Sequence, residues 1–218
     1  MDKENIHLAY TIGIFHDIAR FEQWTKYKTF ADLKSIDHGD LACEILFDRG
    51  LIKSFGVDEK FYPIIHFAVK NHNKFKIDTT AMPKLNGFDT LLHAQIIRDA
   101  DKIDIAWQLT RMGAKLWTLG DRDEDGVNEL VLKDVKDKRQ ADHKNVKTKA
   151  DSLLGSISHA YDLYTLPAKQ IFIREKYPLS LYKSFKAQLT PKDAEIIRTV
   201  AEQVMQDIVN SQVFVDKL

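Results

Sequence analysis

One cysteine, Cys43, stands among 218 residues. A single thiol excludes an intrachain disulfide framework and fits a reducing cytoplasm. It sits in the apolar run Leu41-Ala42-Cys43-Glu44-Ile45-Leu46, which reads as a buried structural thiol. No apolar run approaches the ~18 residues of a membrane span. The opening Met1-Asp2-Lys3-Glu4-Asn5 lacks the pattern of a signal peptide. Net charge is also missing, with 32 basic and 32 acidic residues. That balance leaves no basic field to gather nucleic acid, and no aromatic platform interleaves a basic stripe. No strand-like alternation is sustained anywhere, and no internal repeat emerges.

What is present is ordinary globular material, 44% hydrophobic and 29% charged. Its spacing reads as helices throughout. The first is expected over 5–24. A second, capped by Asp37 and ended by Gly50, spans 38–49. A third runs from Asp58 to about His72, and a long one covers 89–112. Residues 25–36 and 73–88 read as loops, the second holding Pro83 and Gly87. Residues 121–151 are rich in Asp, Glu and Lys. Asp121, Asp123, Asp125 and Gly126 match the opening of a calcium loop, but Leu132 occupies the closing position, where a carboxylate is required. A solvated turn is the better reading. Thr190-Pro191-Lys192-Asp193 starts a last helix to about Ser211, with Ile196, Val200, Val204 and Ile208 on one packing face. The expected organisation is an all-α core over 1–120 with a helical extension, 121–218, packed on it.

The informative feature is His16-Asp17, set inside Ile12-Gly13-Ile14-Phe15-His16-Asp17-Ile18-Ala19-Arg20-Phe21. An imidazole and a carboxylate are costly in an apolar run unless paired or bound to metal. Three further polar clusters adjoin apolar helical runs: Asp37-His38-Gly39, Asn71-His72-Asn73 and Arg98-Asp99-Ala100-Asp101-Lys102-Ile103-Asp104. Together they suggest one metal centre built from several helices.

In order and spacing, His16-Asp17, His38, His72 and Asp101 resemble the HD superfamily of metal-dependent phosphohydrolases. The likeness covers about residues 5–110. It implies an all-α HD-domain bundle with additional C-terminal helices. It also implies a first His on a preceding helix, and only 15 residues precede His16. His7 lies nine positions earlier, which on one helix at ~100° per residue puts it half a turn out of phase. The chain is therefore expected to lack that helix and one ligand, with weak or absent activity in this form. The alternative is a catalytically impaired HD-fold module that binds a nucleotide or a protein partner, and self-association is left open.

The resemblance implies that His16, Asp17 and Asp101 hold a primary ion, with Asp17 bridging to a second ion on His38 and His72. If one ion binds, His38 and His72 instead face the scissile phosphate and donate protons. Mixed imidazole and carboxylate ligands suit manganese, iron, zinc, cobalt or nickel, as one or two ions. The expected substrate is a phosphorylated small molecule, a nucleotide or related ester. Arg20, Lys74 and Lys102 are the candidate phosphate contacts. Glu22 could orient water, and Asp104 could support the centre. Arg98 and Asp99 read as flanking surface residues. His66, about 120° around the helix from His72, is not expected to join the site, and His93 reads as structural.

Overall fold

The computed structural model describes residues 1–112 and 125–213, and among them it is helical, with no strand. The calcium-loop pattern falls partly outside the described residues, because Asp121 and Asp123 do. Contacts divide the chain into two units, Met1–Ala100 and Asp101–Leu218.

The first unit begins with α1, Lys3–Phe15, capped by Asp2 accepting from the Asn5 amide. Leu8, Thr11, Ile12 and Phe15 bury one face of it. The helix expected over 5–24 is broken. His16–Ala19 form a turn, and α2 restarts over Arg20–Tyr27. The tight bonds Ile18 N to Phe15 O and Arg20 N to Asp17 O replace the regular helical ladder there. The His16 imidazole bonds the Gly13 carbonyl instead of leaving that acceptor to the backbone. The apolar spacing continues through the break, so periodicity could not register it.

A short 3-10 turn, Asp32–Lys34, interrupts the next loop. Helix α3, His38–Cys43, is capped by Asp37 and runs into a π turn over Glu44–Asp48. Gly50 then takes a left-handed φ of 76°, ending the segment as expected. A 3-10 turn at Glu59–Phe61 leads into α4, Tyr62–Asn71. Helix α4 is buried on nearly every side, through Ile64, Ile65, Phe67, Ala68 and Val69. Helix α5, Thr90–Met112, contributes Ala94 and Ile97 to the same core. His93 is buried and its Nε2 meets Asn5 Oδ1 at 3.0 Å, a structural tie between α5 and α1. Cys43 is buried, and burial pushes its thiol up to about 12, so it is inert at neutral pH.

The second unit has its own core, built from α6 (Glu129–Lys136), α7 (Lys149–Ser158), α8 (Leu166–Arg174), α9 (Tyr177–Phe185) and α10 (Pro191–Val213). Thr190 and Asp193 cap α10 as the sequence predicts. Its buried face is Ile197, Val200, Ala201, Val204 and Ile208; Ile196 is only half-buried.

Candidate metal centre

Each histidine of the motif enters the first unit from a different element. His16 lies in the α1–α2 turn, His38 opens α3, and His72 follows the last residue of α4. His38 and His72 are buried, while His16 and Asp17 are half-buried. Asp17 stands at the meeting point. Its carboxylate oxygens lie 3.7 Å from His16 Nε2, 3.4 Å from His38 Nε2 and 3.8 Å from His72 Nε2. Donor atoms of Asp17, His38 and His72 all fall within 4.8 Å of one another.

The tautomers follow from the second nitrogen of each ring. His16 Nδ1 is 2.8 Å from the Gly13 carbonyl oxygen, and His72 Nδ1 is 2.6 Å from that of Val69. His38 Nδ1 is 2.6 Å from Asp32 Oδ2. These partners are acceptors and hold a proton on each Nδ1; the one donor beside them, Asn73 Nδ2 at 3.3 Å from His38 Nδ1, lies nearer to Asp32 and Asp37, at 3.1 and 2.9 Å. The three Nε2 lone pairs are therefore turned toward one carboxylate. His38 Nε2 and His72 Nε2 are only 2.9 Å apart. Two lone pairs facing at that distance, beside an anion, repel unless a cation stands among them. A proton can serve, and so can a metal ion. This donor set fits a transition metal bound through neutral imidazoles and a carboxylate.

The Asp17 carboxyl is raised by burial, but when the imidazoles carry a second proton, on Nε2, a hydrogen bond from His72 and the charges of His16, Arg20 and His38 outweigh that. It is held well below the usual carboxylate range. Asp37, which caps α3, is likewise raised by burial. Hydrogen bonds from Lys74, Asn73 and the Asp40 amide bring it down to about 2. A carboxyl depressed in the folded state contributes stability above its unfolded pKa, here near 3.8, and loses it as pH falls through the folded value. Asp37→Asn is expected to flatten the loss of stability between pH ~4 and ~2 relative to the parent chain. Urea midpoints across that window measure it, and parallel curves would refute it.

The other predicted residues are placed as follows. Asp101, half-buried, is the first residue of the second unit and follows Ala100 without a break in α5. The Arg20 guanidinium lies 3.3 Å from Asp17 Oδ1 and also bonds Gln23, the Phe30 carbonyl and Asp32. Lys74 is paired with Asp37 at 2.7 Å and Asp40 at 2.9 Å. Lys102 is buried and paired with Asp162 at 2.8 Å. Glu22 pairs with Arg49 and Lys26, and Asp104 accepts from Gln108. His7 is exposed, and the His66 ring stacks edge-on with Phe47.

Arg98 and Asp99 are not surface residues: they are 1% and 3% exposed. The Arg98 guanidinium donates to the carbonyls of Asn71, the last residue of α4, and of His72, Lys74 and Phe75 after it. These carbonyls lack helical partners, and a guanidinium is the one side chain with enough donors to serve them together. Asp32 and Gln23 were also missed. Gln23 is fully buried and its amide donates to Asp32 Oδ1, Ser35 and the Ile36 carbonyl. The only signal for Arg98 was its place one residue before Asp99 in a cluster already singled out.

Residues 1–106 match the family model described as HD domain. No curated protein and no solved structure matches the chain.

Proposed function

We propose, from the premise that this chain carries an HD domain over residues 1–106, that it is a metal-dependent phosphohydrolase acting on a nucleotide or related phosphate ester. The HD superfamily is one of metal-dependent hydrolases. The observation that carries the reading is the convergence of three Nε2 atoms on Asp17, each ring held by an acceptor at Nδ1. His16, Asp17, His38, His72 and Asp101 are the proposed ligands. Asp101 is included because it lies on α5 one turn past the buried Ile97.

A divalent transition ion held there would polarise a phosphoryl oxygen and lower the pKa of an adjacent water toward neutrality. Asp17, ionised and partly open to solvent, holds the shared position between the imidazoles. Arg20 is the proposed phosphate contact, since its guanidinium adjoins Asp17 and presents several donors to an anion. Lys74 and Lys102 act on the substrate only if phosphate displaces their carboxylate partners.

Metal analysis of the purified chain, with turnover of p-nitrophenyl phosphate, tests this. About one or two equivalents of a transition metal, and weak turnover lost to a chelator and restored by manganese, are expected. Protein without bound metal, and without turnover after manganese is added, would refute the enzyme and leave the HD-fold binding module.

A further inference from the structure

Asp32 faces His38 across a short hydrogen bond, 2.6 Å from Oδ2 to Nδ1. Each of its oxygens has a second donor or more. Oδ1 receives Gln23 Nε2 at 2.9 Å and Arg20 Nη1 at 3.3 Å, and Oδ2 receives Asn73 Nδ2 at 3.1 Å. Four donors from α2, α3 and the segment after α4 thus converge on one carboxylate. Burial raises the carboxyl, and the His38 and Gln23 hydrogen bonds with the charges of His38 and Arg20 reverse that.

The scaffold around this carboxylate is itself fixed. Gln23 is fully buried, and its amide nitrogen is shared among Asp32, Ser35 and the Ile36 carbonyl. Asn73 ties Asp32 to Asp37, the cap of α3. Gly39 makes room for Asn73, because a Cβ there would stand 2.5 Å from Asn73 Oδ1. Asp32, in turn, sits on the 3-10 turn Asp32–Lys34 that the preceding loop makes on its way to α3.

We infer that Asp32 is a positioning residue that locks His38 as the Nδ1–H tautomer, so that Nε2 presents its lone pair beside Asp17. This inference rests on the metal reading above for its consequence, though not for its geometry. An outer carboxylate fixes a ligating imidazole in two ways, by choosing its tautomer and by raising its basicity. Here the nearer partner decides, since Asn73 Nδ2, a donor, stands 3.3 Å from Nδ1 against 2.6 Å for Asp32 Oδ2. With Nδ1 unprotonated, a lone pair would lie 2.6 Å from an ionised carboxylate. With Nδ1 protonated, that contact is a charge-assisted hydrogen bond.

Asparagine cannot replicate this. One end of its amide is a donor, and both ends of Asp32 face donors. Whichever way Asn turned, its NH2 would confront either Gln23 and Arg20 or His38 and Asn73. Glutamate keeps an acceptor-only group, one methylene longer.

Long-range proton–nitrogen NMR on metal-free protein above pH 8 reads the tautomer of His38 directly. The parent chain is expected to show Nδ1–H, and Asp32→Asn a mixed or Nε2–H population. Manganese titration of the same proteins is expected to show Asp32→Asn binding 10–100-fold more weakly, with Asp32→Glu recovering part of the loss. Circular dichroism of both variants confirms that helix content is kept. A parent His38 in the Nε2–H form overturns the inference whatever the metal result. Nδ1–H in both proteins overturns it too, as does manganese affinity unchanged in Asp32→Asn. If the parent shows Nδ1–H and Asp32→Asn loses it, but neither protein binds manganese, the positioning role stands and the metal reading fails.

Discussion

Asp17→Ala is expected to weaken manganese binding by at least ~100-fold and to abolish metal-dependent turnover of a phosphate ester. The bound sets the loss above the 10–100-fold usual for an outer partner, because Asp17 is a proposed ligand itself. Its carboxylate oxygens lie 3.4–3.8 Å from Nε2 of His16, His38 and His72. Without it the ion would meet imidazoles alone, with no negative charge from this residue to offset its own. Stability should move little or even rise in metal-free protein at high pH, because the carboxylate also repels the Nε2 lone pairs turned toward it. The two effects therefore separate. Isothermal titration with manganese reports the first, and a urea midpoint in chelator reports the second. Turnover that survives Asp17→Ala would refute the metal mechanism. Loss of turnover accompanied by collapse of the urea midpoint would assign Asp17 a structural role instead.

The same chemistry explains what could be read from the residues and what could not. His16, Asp17, His38 and His72 are visible because each is a polar interruption in an apolar run, and such interruptions need a reason. The caps at Asp37 and Thr190 and the stop at Gly50 are visible because they depend on local chemistry. The break at His16–Ala19 is not, because Phe15, Ile18 and Ala19 keep the apolar spacing through it. Asp32 lies in Thr29-Phe30-Ala31-Asp32-Leu33-Lys34-Ser35, which looks like a solvated loop. Its role depends on His38, six residues on, and on Asn73, forty-one residues on. Arg98 was read as surface because arginine next to aspartate is usually solvated. Only the fold reveals that the carbonyls past α4 lie in its reach. The residues proposed as ligands are legible, whereas those that aim them are not, since aiming is a property of packing rather than of residue type.

Arg98→Met should therefore be the most destabilising single change in the first unit. Methionine keeps most of the stem's apolar volume but removes every donor. The carbonyls of Asn71, His72, Lys74 and Phe75 would lose their shared partner. A hydrogen bond from a charged donor contributes ~1.5–3 kcal/mol, and a buried acceptor left unsatisfied costs ~1–3 kcal/mol. Water can reach some of the four, because Lys74 is half-buried and Phe75 is exposed. The expected loss is then ~3–5 kcal/mol, against ~1 kcal/mol for a typical substitution. Arg98→Lys keeps the charge but offers a point donor instead of a fork, so it should lose about half as much. The backbone after α4 also carries His72, whose ring is oriented by the Val69 carbonyl. Manganese affinity should fall in Arg98→Met even at temperatures where the protein remains folded. Urea midpoints measured at a constant m-value decide the first claim, and a shift worth less than ~1 kcal/mol would refute it. Unchanged manganese binding in a destabilised variant would confine Arg98 to holding the chain together, with no part in aiming His72.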